Sequence, residues 1–190
     1  MLMKVVLASI MALCAALPAA AQQPQTPPPI VAYGAPIGLE AAKKAMAAAE
    51  AEAIKNQWPI AIAIVDSTGT LVMFQRLDNT QIASVRIAEG KARTAVEFRR
   101  PTKALEDAIA GGGAGLRLLS ISGISPLEGG VPIIADGKII GAVGVSGVAS
   151  GQDAQVAKAG ADAAKYAGTA STSAPLGRGP MTIARTLLRL

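Results

Sequence analysis

The strongest constraint on the fold is the run Ile60–Val65, in which every residue is apolar. A short run of this kind, rich in β-branched side chains, predicts a strand that is buried on both faces. A strand buried in this way needs apolar layers above and below its sheet. The run therefore favours a sheet flanked by helices over one with a solvated face.

Turn residues predict two hairpins, one that begins with this run and one further along the chain. Asp66-Ser67-Thr68-Gly69 separates the buried run from a return strand over Thr70–Gln75. Asp136-Gly137 is a hairpin turn signal between a strand over Val131–Ala135 and a return strand over Lys138–Val145. A further strand is predicted over Leu116–Ile121. These strands would form an antiparallel sheet.

Four helices are predicted from apolar stripes and capping residues. The apolar stripe of the first helix consists of Leu39, Ala42, Met46, Ala49 and Ala53. The second helix runs from Gln81 to about Glu97 and is capped by Asn79 or Thr80. Its inward-facing residues are Ile82, Val85, Ala88, Ala92 and Val96. A short third helix is capped by Thr102 and ends at Gly111–Gly113. The last helix is capped by Ser150 with Asp153 and carries Val156, Gly160, Ala163 and Ala167. The order of elements indicates the α+β class, with an antiparallel sheet flanked by helices.

The two ends differ in composition from the central region. Residues 1–21 resemble a secretory signal peptide, with Lys4, an apolar stretch and a small-residue cleavage site, and residues 22–36 form a Pro-rich linker. The apolar stretch is shorter than the roughly 20 residues of a membrane span. The domain is assigned to residues 37–168 and a basic tail to residues 169–190. We expect a periplasmic or secreted protein with no stable membrane span after cleavage.

Composition excludes several function classes. The chain has no histidine and one cysteine, which lies inside the signal segment, so the mature chain offers no imidazole or thiolate to a metal or a catalytic triad. The formal charge of +5 comes mostly from the two ends of the chain, because residues 37–168 hold 14 basic and 13 acidic side chains and are nearly neutral. With two Phe, two Tyr and one Trp, the chain lacks the stacking surface of a nucleic-acid binder.

Three segments could hold a ligand. Gly141, Gly144 and Gly147 recur along one strand, where a packed helix, a neighbouring subunit or a flat ligand would approach the backbone. A basic cluster of Arg86, Lys91, Arg93, Arg99, Arg100 and Lys103 is either a solvated helix face or a rim that binds carboxylates. Residues 128–132 form either a plain turn or a pocket lip with free peptide N–H groups.

A set of segments, taken in order, resembles the GlcG/HbpS-like family of heme-binding or heme-degrading proteins. They are VDSTGTLVMFQRLD, Ser84 followed by Lys91-Ala92-Arg93-Thr94-Ala95, Phe98-Arg99-Arg100-Pro101-Thr102, GGVPI, and GKIIGAVGVSG followed by Asp153. They cover about residues 38–168. The resemblance implies a profilin-like α+β domain that assembles into a homo-oligomer and binds heme, another tetrapyrrole or a small molecule.

Heme binding without histidine would need another axial ligand or none. The candidates are Met46, Met73, Tyr33, Tyr166 and Thr94. The predicted ligand-binding residues, on a basic and glycine-lined pocket or at a subunit interface, are Arg76, Asp78, Lys91, Arg93, Thr94, Arg100, Gly129, Gly130, Pro132, Gly144 and Ser146. Two alternatives stay open: a small-molecule enzyme that uses carboxylates and Lys91, and a structural or sensory homo-oligomer that binds a partner protein. No metal-binding or catalytic residue is predicted.

Overall fold

The computed structural model describes residues 30–165, which contain four helices and five strands. The helices are α1 (Leu39–Lys55), α2 (Ser84–Glu97), α3 (Lys103–Ala110) and α4 (Ser150–Lys165). The strands are β1 (Ala32–Tyr33), β2 (Ala61–Asp66), β3 (Leu71–Arg76), β4 (Gly130–Ala135) and β5 (Lys138–Ser146). A 3-10 helix spans Gly113–Ser120. The α+β class with a sheet between helices is confirmed.

Strand β5 is the centre of one five-stranded sheet. It pairs antiparallel with β4 along one edge and with β2 along the other, and β3 extends the sheet beyond β2. The two-residue β1 pairs in parallel with Lys138 and Ile139 at the start of β5. In the turn between β4 and β5, Asp136 and Gly137 have φ values of 49° and 71°, the pair of positive angles that a type I′ hairpin turn requires.

The buried run is covered on both faces, as its sequence predicts. Ile60, Ile62 and Ile64 pack in a core with α1 and α4, whereas Ala61, Ala63 and Val65 pack in a second core under α2. The side chains alternate because successive residues of a strand point to opposite faces. The run therefore presents two alanines and a valine to α2 and three isoleucines to α1 and α4.

Helix α2 lies directly on the sheet because glycines leave room for its backbone. A Cβ placed on Gly144 of β5 would lie 2.1 Å from the carbonyl oxygen of Ala88, and one placed on Gly130 of β4 would lie 2.3 Å from that of Lys91. Both positions are thus occupied by protein. Of the approaches predicted for the glycine strand, a packed alanine-rich helix accounts for Gly144.

Several local predictions were wrong. Leu116–Ile121 does not form a strand, since it lies mostly in the 3-10 helix, and Leu116 is half exposed. Helix α2 begins three residues later than expected, so Ile82 precedes it and is 85% exposed. Leu39 at the start of α1 is 53% exposed rather than part of its inward stripe.

The capping predictions also failed in detail. Neither Asn79 nor Thr80 caps α2; the Thr80 hydroxyl instead donates to the carbonyl oxygen of Leu77. Thr102 precedes α3, but no side chain caps that helix, and the Thr102 hydroxyl accepts the Gly130 N–H of β4. The Thr102 hydroxyl binds β4 instead of capping α3, because the buried Gly130 N–H needs an acceptor.

The signal segment, residues 22–29 of the Pro-rich linker and the basic tail from residue 169 lie outside the described residues. Residues 30–36 of the predicted linker are described, and Ala32 and Tyr33 join the sheet as β1 rather than forming part of a spacer. Among residues 30–165, no helix has the length and apolar character to cross a membrane.

Replacing Gly144 with alanine tests the close approach of α2. The added methyl group would overlap the backbone of Ala88, so we expect Gly144→Ala to lower the free energy of unfolding by about 1–3 kcal/mol. The matched control is Gly151→Ala in the first turn of α4, where a Cβ meets nothing within 4 Å. Urea denaturation should show the control at or above wild-type stability; equal stability of the two variants would contradict the packing.

Candidate functional site

Six of the predicted ligand-binding residues meet where α2 crosses the start of β4 and the end of β5. They are Lys91, Thr94, Gly129, Gly130, Gly144 and Ser146, and all are buried. The structure thus brings together residues of all three segments that were predicted to hold a ligand. Their burial does not agree with a pocket rim open to a ligand.

A buried ion pair lies at the centre of this cluster. The Lys91 ammonium donates to the Asp153 carboxylate over 2.8 Å and to the Val145 carbonyl oxygen over 2.9 Å. The two charged side chains are 2% and 3% exposed. The second carboxylate oxygen of Asp153 accepts the Val148 N–H over 3.2 Å. The pair is thus surrounded by partners in the way that buried charges require.

The Lys91 side chain passes from one face of the sheet to the other. Lys91 belongs to α2, whereas Asp153 belongs to α4, which packs on the opposite face. The passage lies at Gly129, where a Cβ would be 2.8 Å from the Lys91 nitrogen. Gly129 also has a φ of 125°, a region that glycine adopts at little cost. Gly129 therefore makes room for the Lys91 side chain, and Gly130 makes room for the backbone of α2.

Burial dominates the electrostatics of Asp153. Removal from water raises the pKa of the Asp153 carboxyl, and the neighbouring Lys91 ammonium together with the Val148 N–H opposes that rise. The pair links the two helical layers, and the Lys91 ammonium is largely shielded from solvent. Lys91 is accordingly not part of an exposed anion-binding rim, which corrects that prediction.

Hydroxyl groups complete the buried polar cluster. The Thr94 hydroxyl oxygen accepts the Ser125 N–H over 2.8 Å, and the Ser146 and Ser84 hydroxyl groups lie 3.3 Å apart. The Gly130 N–H donates to Thr102, so it is not free to bind an anion. Pro132 is buried in β4 opposite Ala142 of β5.

Sequence reasoning missed two members of this cluster. The sequence predicts Asp153 and Thr102 only as helix caps, whereas Asp153 pairs with Lys91 and Thr102 binds the Gly130 N–H of β4. One signal was present: Lys91 lies between the inward-facing Ala88 and Ala92 on α2. A lysine in that position needs a buried acceptor or an exit to solvent.

The other predicted binding residues are exposed and lie in separate places. Arg93 pairs with Glu89 one turn earlier on α2, and the Arg100 side chain donates to the Phe98 carbonyl oxygen. Arg76 and Asp78 lie at and just after the end of β3, and no ion pair joins them among residues 30–165. The structure therefore divides the predicted site into a buried cluster and separate surface positions.

The candidate heme ligands differ in accessibility. Met46 is buried in the α1/α4 core, Met73 is half-buried against that core, and the Thr94 hydroxyl is buried. Tyr33 is 41% exposed. Tyr166 lies outside the described residues. Within residues 30–165, Tyr33 is the most exposed of these candidates.

Comparison with known proteins gives a consistent family. The family model described as "Haem degrading protein HbpS-like" matches residues 37–162. Over 110 residues the chain is 43% identical to protein GlcG of Escherichia coli strain K12, an alignment that covers 58% of this chain and 81% of GlcG.

Solved structures agree with that match. A crystal structure of a Streptomyces reticuli HbpS double mutant has a TM-score of 0.62 at 36% identity, covering 68% of this chain and 87% of HbpS. The crystal structure of PduOC in complex with heme has a TM-score of 0.62 at 29% identity, covering 67% of this chain and 94% of PduOC.

A double-mutant cycle tests the role of the buried ion pair. We expect Lys91→Met or Asp153→Asn alone to lower the free energy of unfolding by about 3–5 kcal/mol, because each leaves a buried polar group without its partner. The double variant should lose much less than the sum of the two single losses. Urea denaturation measures all three variants. Additive losses would show that the two side chains are not coupled.

Proposed function

This chain belongs to the HbpS-like family, and from that membership we propose that it binds heme, or a related planar tetrapyrrole, at its surface without a histidine ligand. Heme binding is supported at the level of the family, which is described as heme-degrading and includes a structural relative in complex with heme. The single observation that carries the location is the environment of Tyr33.

Tyr33 has the properties of a surface ligand held in a defined position. Its hydroxyl donates to the Val96 carbonyl oxygen at the end of α2 over 2.9 Å, and the Arg99 guanidinium lies 4.4 Å from the centre of its ring. The cation above the ring and the hydrogen bond restrain its orientation. A tyrosine oxygen is an established kind of axial ligand to heme iron. Binding iron would require this hydroxyl to leave Val96.

Arg99, which lies over the Tyr33 ring, and the next residue, Arg100, suit the carboxylate groups of a heme. Arg99 and Arg100 are both exposed, and Arg100 is held by its bond to the Phe98 carbonyl oxygen. Arginine pairs with carboxylates through parallel hydrogen bonds, which a lysine cannot match. We refer to Tyr33, Arg99 and Arg100 as the Tyr33 platform. Arg100 was among the predicted binding residues, whereas Arg99 was assigned only to the basic cluster.

The three side chains of the platform are exposed, and in this proposal a second copy of the chain covers the other face of a bound heme. This proposal keeps the predicted homo-oligomer and places the ligand at the subunit interface. A bound heme would supply a redox-active iron, and the chain's part would be to orient it and to neutralise its carboxylates. The alternative of a small-molecule enzyme is less well supported, because Lys91, which it would use as a functional group, is held in the buried ion pair.

Titration with hemin tests the proposal. Residues 22–190 should give a saturable Soret band that differs from that of free hemin, because a protein oxygen replaces solvent at the iron. Tyr33→Phe should alter that spectrum, since it removes the ligand and keeps the ring. Arg100→Ala should weaken binding by about tenfold, the equivalent of one charge-assisted hydrogen bond.

The matched control for the ligand is Tyr166→Phe, which removes the other tyrosine of the chain. It should leave the spectrum unchanged. A spectral change in this variant and none in Tyr33→Phe would overturn the assignment to the platform, and a wild-type spectrum identical to that of free hemin would overturn heme binding itself. Size-exclusion chromatography with and without hemin tests whether the ligand joins two copies.

We also propose that the protein is exported and that its signal segment is removed after Ala21. Expression of the full chain in a Gram-negative host should yield a mature N-terminus at Gln22, measured by intact mass after cell fractionation. Recovery of the uncleaved chain in the cytoplasm would contradict export.

A further inference from the structure

An open groove of about 360 Å³ lies where the end of α1 meets the turn that follows β3. It is separate from the buried ion pair and shares no residue with the Tyr33 platform. Its lining consists of Ala53, Ile54, Gln57, Trp58, Pro59, Leu77, Asp78 and Asn79. The volume is near the lower end of the roughly 300–1,000 Å³ usual for small-molecule sites, which suits a compact ligand.

One wall of the groove is a hydrogen-bonded end of helix α1. The Gln57 N–H donates to the Ile54 carbonyl oxygen and the Trp58 N–H to that of Ala53, both over 3.0 Å. Gln57 has a φ of 58°, so the helix ends in a Schellman motif with glutamine at the position that usually holds glycine. This motif fixes the backbone of Trp58 at the groove.

The opposite wall is a second hydrogen-bonded turn. Asn79 has a φ of 61°, and both the N–H and the hydroxyl of Thr80 donate to the Leu77 carbonyl oxygen. The Leu77 N–H in turn donates to the Ile60 carbonyl oxygen over 2.9 Å, which ties this turn to the chain that follows Pro59. The groove is therefore preformed, and a ligand would not have to order its walls.

The groove carries a negative charge. Asp78 is the one charged residue in the lining, it is exposed, and it makes no ion pair within residues 30–165. The domain that surrounds the groove is close to neutral, since residues 37–168 hold 14 basic and 13 acidic side chains. A carboxylate beside apolar walls attracts a cation and repels the carboxylate groups of a heme.

The apolar part of the lining defines the rest of the ligand. Trp58 offers an indole ring, and Ile54, Pro59 and Leu77 add aliphatic surface next to it. An ammonium group near an indole also gains from cation–π attraction. We propose that this groove binds a small organic cation, an ammonium group carried on one aromatic or branched aliphatic body, with Asp78 as the partner of the charge.

Trp58 supplies the readout, because it is the one tryptophan of the 190-residue chain. We would titrate the hemin-free protein with phenethylammonium and with its neutral analogue 2-phenylethanol, and follow tryptophan emission. A saturable change is expected with both ligands, at about tenfold lower concentration for the cation, which corresponds to roughly 1.4 kcal/mol. The advantage of the cation should shrink as salt is added, because the Asp78 carboxylate is exposed.

The variant Asp78→Asn isolates the charge while it keeps the shape of the side chain. It should bind phenethylammonium about tenfold more weakly and 2-phenylethanol unchanged. The matched control is Asp136→Asn at the exposed hairpin turn, which removes the same charge elsewhere and should bind both ligands like the wild type. Circular dichroism checks that each variant is folded.

Two results would overturn the proposal: no saturable change of emission with the cation, or an equal preference for the cation in the wild type and Asp78→Asn. Neither result depends on hemin, so the groove and the Tyr33 platform can fail independently of each other.

Discussion

The close contact between α2 and the sheet is the constraint on which the rest of the described structure depends. Gly130 and Gly144 carry no side chain, so the backbone of α2 rests on β4 and β5. Ala61 and Ala63 below the same helix are small for the same reason. The short distance brings Lys91 to the level of the strands, from which its side chain can reach the opposite layer. A larger residue at the glycines would lift the helix and separate Lys91 from Asp153.

The buried ion pair has a clear consequence for function. Two charges removed from water must be paired and hydrogen-bonded, and here the carboxylate, the Val145 carbonyl oxygen and the Val148 N–H provide those partners. The centre of the domain is thus committed to structure. The two sites proposed for ligands lie on the surface, where the basic Tyr33 platform and the acidic groove beside Trp58 have opposite charges and would suit different molecules.

The fold was largely predictable where local signals and tertiary packing agree. The Ile60–Val65 run and the Asp136-Gly137 turn behave as expected because burial on both faces and positive φ values restrict the residues that fit. Prediction failed at Ile82 and at Leu116–Ile121, which are apolar and yet largely exposed. Apolar character alone does not determine which segments are buried. In the described structure, the core layers do not cover these two segments.

The sequence by itself determined the class of fold, the two hairpins, the family and the absence of imidazole, because these follow from residue types and their order. Only the tertiary structure decided that Lys91 is a buried partner of Asp153 and that Asp78 faces a groove beside Trp58. The physical reason is distance along the chain: 62 residues separate Lys91 from Asp153. The residues that surround Lys91 in the sequence do not indicate that Asp153 will be its partner in the folded chain.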